Sequence, residues 1–282
     1  MATSGAGGQT ALGRRTSGMH MNSARSALLT VISLFVYPDP KPVPTSTFID
    51  ALEPLGFGSN ATRQALQRSA ASGWITATKV GRQAHWHLTG AGYQLFEEGA
   101  ARIARLSDVD RPWDGRALIL TAEVPENDRA VRHQLRTRLD WLGFAALAPG
   151  VWISTHVPNE IPAGMLMEKL SLPCNSYVAE PGTLGVFRDV VWRSWDLAAV
   201  ERDYQAFLDE FRDLSPVPGT DRFVALVQVT HRWRRFPFVD PGLPPALLPA
   251  QWTGFEAARL FAALRAMWRP SADEHWHALV RA

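Results

Sequence analysis

The chain has 282 residues, 46% of them hydrophobic and 20% charged, with a net charge of +2 at pH 7. That length and apolar content suffice for two or three domains with cores of their own and exclude a chain disordered throughout. A lone cysteine, Cys174, excludes a disulfide within the chain and fits a cytoplasmic compartment, and no apolar run reaches the roughly 18 residues of a membrane helix. Residues 1–22 are rich in Gly, Ser, Thr and Ala, lack acidic residues and lack the apolar centre of a signal peptide, so a disordered tail is expected. Over residues 23–36, Leu28, Leu29, Ile32, Phe35 and Val36 recur at helical spacing; Pro38, Pro40, Pro42 and Pro44 then stop that helix.

Pro44 and Thr45 open a second helix with Phe48, Ile49, Leu52 and Leu55 as its apolar stripe, and Gly56, Phe57 and Gly58 break it. A third helix runs from Ser59 to Ala71. Wound at about 100° per residue, it places Thr62, Ala65, Leu66, Ser69 and Ala70 on one side. Asn60, Arg63, Gln64, Gln67 and Arg68 fall on the other. Arginine forks onto guanine, and Asn or Gln pairs with adenine, in the major groove. Any solvated helix face can carry such residues, so the neighbours decide.

After Gly73, residues 74–78 and 85–88 read as two strands of a hairpin with Lys79 and Arg82 at its tip, where they can grip phosphate. His85 and His87 belong to this wing, with His85 also within reach of phosphate. Thr89 then leads into a helix over 93–106. Two helices about a glycine turn, followed by a basic hairpin, have the order of a winged helix-turn-helix. Residues 1–90 hold eight basic residues against three acidic, a net +5 in a chain of only +2, so positive charge gathers where phosphate binding needs it.

Polar residues and proline over 107–112 mark a boundary. Beyond it, a strand over 117–124, a charged helix over 126–142, strands at 144–147 and 150–154, a helix over 159–170 and a strand over 175–179 follow. That β-α-β-β-α-β order predicts a ferredoxin-like domain. From Trp192 the chain turns helical, over 195–214, 222–234 and 254–268, with a proline-rich bend at 237–249. The expected organisation is therefore α+β: a tail (1–22), an N-terminal winged helix-turn-helix DNA-binding domain (23–108), a ferredoxin-like middle domain (113–190) and a helical C-terminal domain for effector response and dimerisation (191–282).

Seven phrases in order carry a resemblance: SARSALLTVI, TSTFIDALEPLGFGSNATRQALQRSAASGW, VGRQAHWHLTGAG, WDGRALILTAEVPE, RTRLDWLGFAALAPGVWIS, WDLAAVERDYQAFLDEF and HRWRRFPFVDPGLPPALLPAQWTG. On these the chain resembles the PaaX-type phenylacetate-degradation repressor family of bacterial transcriptional regulators, along nearly its whole length after residue 22. The resemblance implies a homodimer on an inverted-repeat operator of double-stranded DNA. It implies a middle domain similar to a CRISPR adaptation nuclease subunit, and repression of aromatic catabolism relieved by an aryl-acyl-CoA such as phenylacetyl-CoA. Ser69 departs from the leucine or similar apolar residue more usual there, which implies a looser seat for the recognition helix. The stretch from Cys174 to Arg188 matches no part of the family pattern.

A metal-dependent nuclease would need clustered carboxylates near the first middle strand, and only Glu123 and Glu126 lie close, with Asp110 and Asp114 before it. His85 and His87 flank Trp86, and His275 and His277 flank Trp276, without metal-ligand spacing; Cys174 has no identifiable histidine partner. No cofactor and no enzymatic activity are expected. The cations and aromatic of His231, Trp233, Arg234 and Arg235, just before Phe236, suit the phosphates and adenine of a CoA thioester, unless the arginines neutralise Asp240, Glu201 or a helix end. Trp113, Trp152, Trp192 and Trp195 are expected to help build a junction between domains. The reading is a repressor with Arg63, Gln64, Gln67 and Arg68 on bases and Asn60, Lys79 and Arg82 on the backbone. The competing reading is a DNA-binding regulator or architectural protein without a small-molecule effector.

Overall fold

The computed structural model describes residues 21, 23–37, 41–108, 111–124 and 128–281. The tail over 1–20 and 22, Pro38, Asp39, Pro40, Asp110 and Glu126 lie outside the described residues. In chain order the N-terminal elements are α1 (Ala24–Val31), β1 (Val43–Pro44), α2 (Thr45–Leu52), α3 (Ser59–Ala71), β2 (Ile75–Val80), β3 (Gln83–Leu88) and α4 (Gly90–Ser107). The central elements are β4 (Ala117–Ala122), α5 (Arg129–Trp141), β5 (Ala145–Ala148), β6 (Val151–Ser154), α6 (Glu160–Leu170) and β7 (Cys174–Ala179). The C-terminal ones are α7 (Phe187–Ser194), α8 (Leu197–Phe211), α9 (Thr220–Trp233), α10 (Phe236–Val239) and α11 (Thr253–Arg281). The architecture is α+β, with helices and a small sheet first, a central antiparallel sheet next and a largely helical C-terminal third.

The chain forms two compact units. One takes residues up to Ala100 with Glu210–Trp233 and Leu260–Ala282; the other takes Ala101–Asp209 and Arg234–Arg259.

In the first unit, the Ser23 hydroxyl accepts from the Ser26 N–H at 3.2 Å and caps α1, satisfying a donor that the helix start leaves open. A single π turn, Ile32–Val36, extends α1 and delivers Phe35 between Phe223 of α9 and Trp276 of α11, each ring centroid 5.2 Å away. Gly56, at φ 90°, and the 3-10 turn Glu53–Leu55 join α2 to α3. The sheet order is β1-β3-β2, all antiparallel, with Gly81 at φ 61° between β2 and β3. Trp86, in the middle strand, donates its indole N–H to the Thr45 hydroxyl at 2.9 Å and so ties the hairpin to the start of α2.

Ser69 is fully buried on the inner side of α3, and its hydroxyl makes no hydrogen bond among the described residues. A buried hydroxyl without a partner loses its hydration for nothing. Ser69→Ala is accordingly expected to raise stability by about 1 kcal/mol, read as a higher urea midpoint at unchanged slope. A lower midpoint would mean that the hydroxyl is satisfied.

In the second unit the sheet order is β5-β6-β4-β7. Leu118, Leu120 and Ala122 alternate along β4 onto a core with Leu135 and Leu139 of α5 and Ala163 and Met167 of α6. Ala117, Ala145 and Ile153 face the other way and receive Phe187 and Trp195. Trp152 belongs to the first core; Trp113 stacks on Phe187 at 5.7 Å; the Trp192 indole N–H donates to the Leu247 carbonyl at 2.9 Å.

Two departures from the sequence reading have physical causes. A separate helix, α7, begins at Phe187, ahead of Trp192 where the chain was expected to turn helical, because Val191 turns into the core while its exposed neighbours hide the pattern. The last helix runs on past Trp268 to Arg281 despite Pro270. Proline removes one helix hydrogen bond and crowds the carbonyl four residues back. Here Pro270 and Ala266 are both exposed, so the proline lies on the outer side of the helix, while Phe261, Leu264, Trp268, Ala272 and Trp276 keep the buried stripe unbroken.

Candidate nucleic-acid interface

The two faces of α3 separate as the sequence spacing predicts. Thr62, Ala65, Leu66 and Ser69 are buried, Ala70 is half-buried, and Asn60, Arg63, Gln64, Gln67 and Arg68 are exposed. The inner face is small and apolar because α1 and α2 lie against it. Arg25 of α1 holds the far end of α3: its guanidinium donates to the Ser72 hydroxyl at 2.6 Å and lies 4.5 Å over the Trp74 ring. That cation is therefore engaged within the fold, whereas among the described residues no hydrogen bond or ion pair engages the side chains of Arg63 and Arg68.

Lys79 and Arg82 are exposed at the hairpin tip, beside Val80, which is 56% exposed. His85 sits in the middle strand, opposite Pro44 on one side and Thr78 on the other, and is half-buried. It is thus the least accessible member of the proposed set. The Thr89 hydroxyl donates to the Gly73 carbonyl at 2.5 Å and accepts from the Gly92 N–H at 3.0 Å. This closes the hairpin onto the first turn of α4.

The proposed effector residues fall in two places. His231 and Trp233 lie in the first unit: the His231 Nδ1 is 3.2 Å from the Thr30 hydroxyl, and the fully buried Trp233 stacks on Phe261 at 4.7 Å. Arg234 and Arg235 lie in the second unit. Burial lowers the pKa of Arg234, while Arg235 is exposed just before α10. Among the described residues no group of three or more His, Cys, Asp or Glu could hold a metal ion, and Asp114 is paired with Arg116 at 2.7 Å.

A second polar cluster, in the second unit, escaped the sequence reading. Arg102 donates to the carbonyls of Trp141 and Pro237, and its guanidinium lies 3.8 Å over the Trp141 ring. Burial first, and Arg105 second, push its pKa down to about 10. Arg111 donates to the Gly242 carbonyl. Buried Asp240 accepts from the Tyr204 hydroxyl at 2.6 Å and the Gly242 N–H at 2.7 Å, and burial raises its pKa. His156 is driven down to about 4, by burial and then by Arg105 and Arg111, and is neutral at pH 7. Its only sequence signal is the spacing of Arg102 and Arg105 on one helix, which is silent about Asp240.

These elements define an α+β protein whose first unit turns a polar, cationic helix face and a basic hairpin tip to solvent. Three family models match it in order: PaaX-like protein over residues 23–92, PaaX protein central Cas2-like domain over 110–174, and PaaX-like protein C-terminal domain over 195–278. Over 226 residues the chain is 31% identical to the transcriptional repressor PaaX of Escherichia coli (strain K12), covering 74% of this chain and 69% of that protein. The chain belongs to the PaaX family. Among solved structures, uncharacterized protein Rv0674 from Mycobacterium tuberculosis shares the fold, with a TM-score of 0.59 at 20% identity over 90% of this chain and 98% of that one.

Proposed function

We propose that the chain is a DNA-binding transcriptional repressor of a catabolic operon, acting as a homodimer and released by an aryl-acyl-CoA. Its family consists of regulators rather than enzymes, and its curated relative is named a transcriptional repressor. The observation that carries the reading is the exposed face of α3 in a chain of this family. On it, α2 and α3 form a helix-turn-helix, β2 and β3 the wing, and Arg63, Gln64, Gln67 and Arg68 contact bases. Asn60, Lys79 and Arg82 hold phosphates, with His85 a lesser contact from within the wing. The sheet order β5-β6-β4-β7 with α5 and α6 on one face supports a ferredoxin-like middle domain. Two symmetry-related recognition helices require half-sites about 10 base pairs apart, or a multiple of that.

The effector acts by preferring a dimer arrangement that no longer matches the half-sites. A hundredfold loss of operator affinity requires a preference of about 2.7 kcal/mol. Of the residues expected to contact that ligand, Arg235 is exposed and Trp233 is fully buried, so Arg235 is the accessible one.

Selection from random duplexes is expected to enrich an inverted repeat, bound with steep salt dependence. Absence of salt-sensitive binding would exclude DNA recognition. In a thermal-shift series of acyl-CoA thioesters, an aryl-acyl-CoA is expected to raise Tm by several degrees and to release the operator. Silence across the series would leave a DNA-binding protein without an effector.

A further inference from the structure

The second unit contains a small, partly open pocket lined by Arg105 and Arg111 together with Tyr204, Asp240, Trp252 and Phe255. The three arginines near it have different employment. Arg102 and Arg111 are pinned to main-chain carbonyls. Arg105 makes no hydrogen bond or ion pair through its guanidinium among the described residues, although it is half-buried and has Arg102 and Arg111 as charged neighbours. Among the described residues, Asp108, beside Arg111, and Asp240 are the carboxylates set against these three arginines. Asp240 accepts from the Tyr204 hydroxyl and the Gly242 N–H and makes no ion pair with Arg105.

A half-buried guanidinium among cations has lost hydration without a compensating partner, and an anion completes it. The fork of donors on arginine matches a phosphate in particular. Trp252 and Phe255 add apolar and aromatic surface to the same cavity, as an organic phosphate requires and a bare inorganic ion does not. Concavity and partial burial also favour a small ligand over duplex DNA, whose phosphates are met by exposed cations.

We propose that this cavity is an anion subsite in which Arg105 contacts the phosphate end of a phosphorylated ligand. This rests on the effector reading above, under which the ligand is the nucleotide portion of a CoA thioester.

The test is calorimetric titration of the full chain with sodium pyrophosphate, free coenzyme A and phenylacetyl-CoA at fixed ionic strength, with Tm recorded. All three are expected to bind the wild type, and Arg105→Ala to weaken each at least tenfold. The ligand-free Tm of Arg105→Ala should equal or exceed that of the wild type, because repulsion from Arg102 and Arg111 is relieved; a merely structural arginine would lower it. Arg105→Lys, which keeps the charge, should recover part of the affinity. Undiminished coenzyme A binding by Arg105→Ala would overturn the subsite while leaving the effector reading standing. Arg105-dependent binding of pyrophosphate without binding of either CoA compound would uphold the subsite and sink the effector reading. Loss of DNA affinity in Arg105→Ala with anion affinity intact would overturn the subsite in favour of DNA contact, as would failure of the wild type to bind any of the three.

Discussion

Gly92→Ala is expected to destabilise the protein by about 2–4 kcal/mol, more than an exposed helix substitution can. A Cβ on Gly92 would lie 2.0 Å from the Trp74 carbonyl oxygen and 3.0 Å from Leu88 Cδ2. The first contact is with backbone, so no side-chain rotation relieves it. That same carbonyl accepts from the Thr89 N–H at 3.1 Å, and the Gly92 N–H donates to the Thr89 hydroxyl. Moving α4 away from β2 therefore loosens the helix cap as well as the close contact, and a cap alone is worth about 1 kcal/mol. Alanine gains about 1 kcal/mol in helix propensity, which offsets only part of the loss. Gly99→Ala in the same helix is the control, since nothing lies within 4 Å of its Cβ position. It should gain about 0.5–1 kcal/mol. Urea unfolding of the pair separates propensity from clash, and a Gly92→Ala midpoint within error of the wild type would show that the close approach is not maintained in solution.

What the sequence made legible was whatever repeats over short spacing. The two faces of α3 follow from helical periodicity, and the buried set Thr62, Ala65, Leu66 and Ser69 follows from it residue by residue. The strand expected over 117–124 is present as β4, although its unbroken apolar run does not say that Leu118, Leu120 and Ala122 share one face. Contacts between distant segments leave no such trace. Nothing local to Phe35 announces that Phe223 and Trp276 will close over it, and so α9 and most of α11 share a unit with the N-terminal helices. The string around Trp233 shows the limit most clearly. An aromatic between cations has the composition of a ligand pocket, yet Trp233 stacks on Phe261 in the core, because composition does not say which way a helix faces. Conversely, Arg105 and Arg111 line one cavity with Asp240 and Trp252, more than 100 residues away in sequence, a juxtaposition only folding can produce.

The double variant Arg63→Ala/Arg68→Ala is expected to lose about 2–6 kcal/mol of operator affinity, from about 1–3 kcal/mol for each base-reading arginine. Both side chains are exposed and outside the fold's own hydrogen bonds, so their removal leaves Thr62, Ala65 and Leu66 packed and Tm nearly unchanged. Affinity and stability should therefore separate, which a structural role for either arginine would not allow. Lys79→Ala supplies the contrast. A phosphate contact weakens all sequences alike and lowers the salt slope by about 1, whereas a base contact relaxes preference at one operator position. Measured on the selected operator and on a scrambled duplex across a salt series, the double variant should lose most of the difference between the two. The Lys79 variant should lose affinity for both equally. If the double variant keeps wild-type discrimination, α3 does not read the bases, and recognition must pass to the hairpin or to the shape of the DNA.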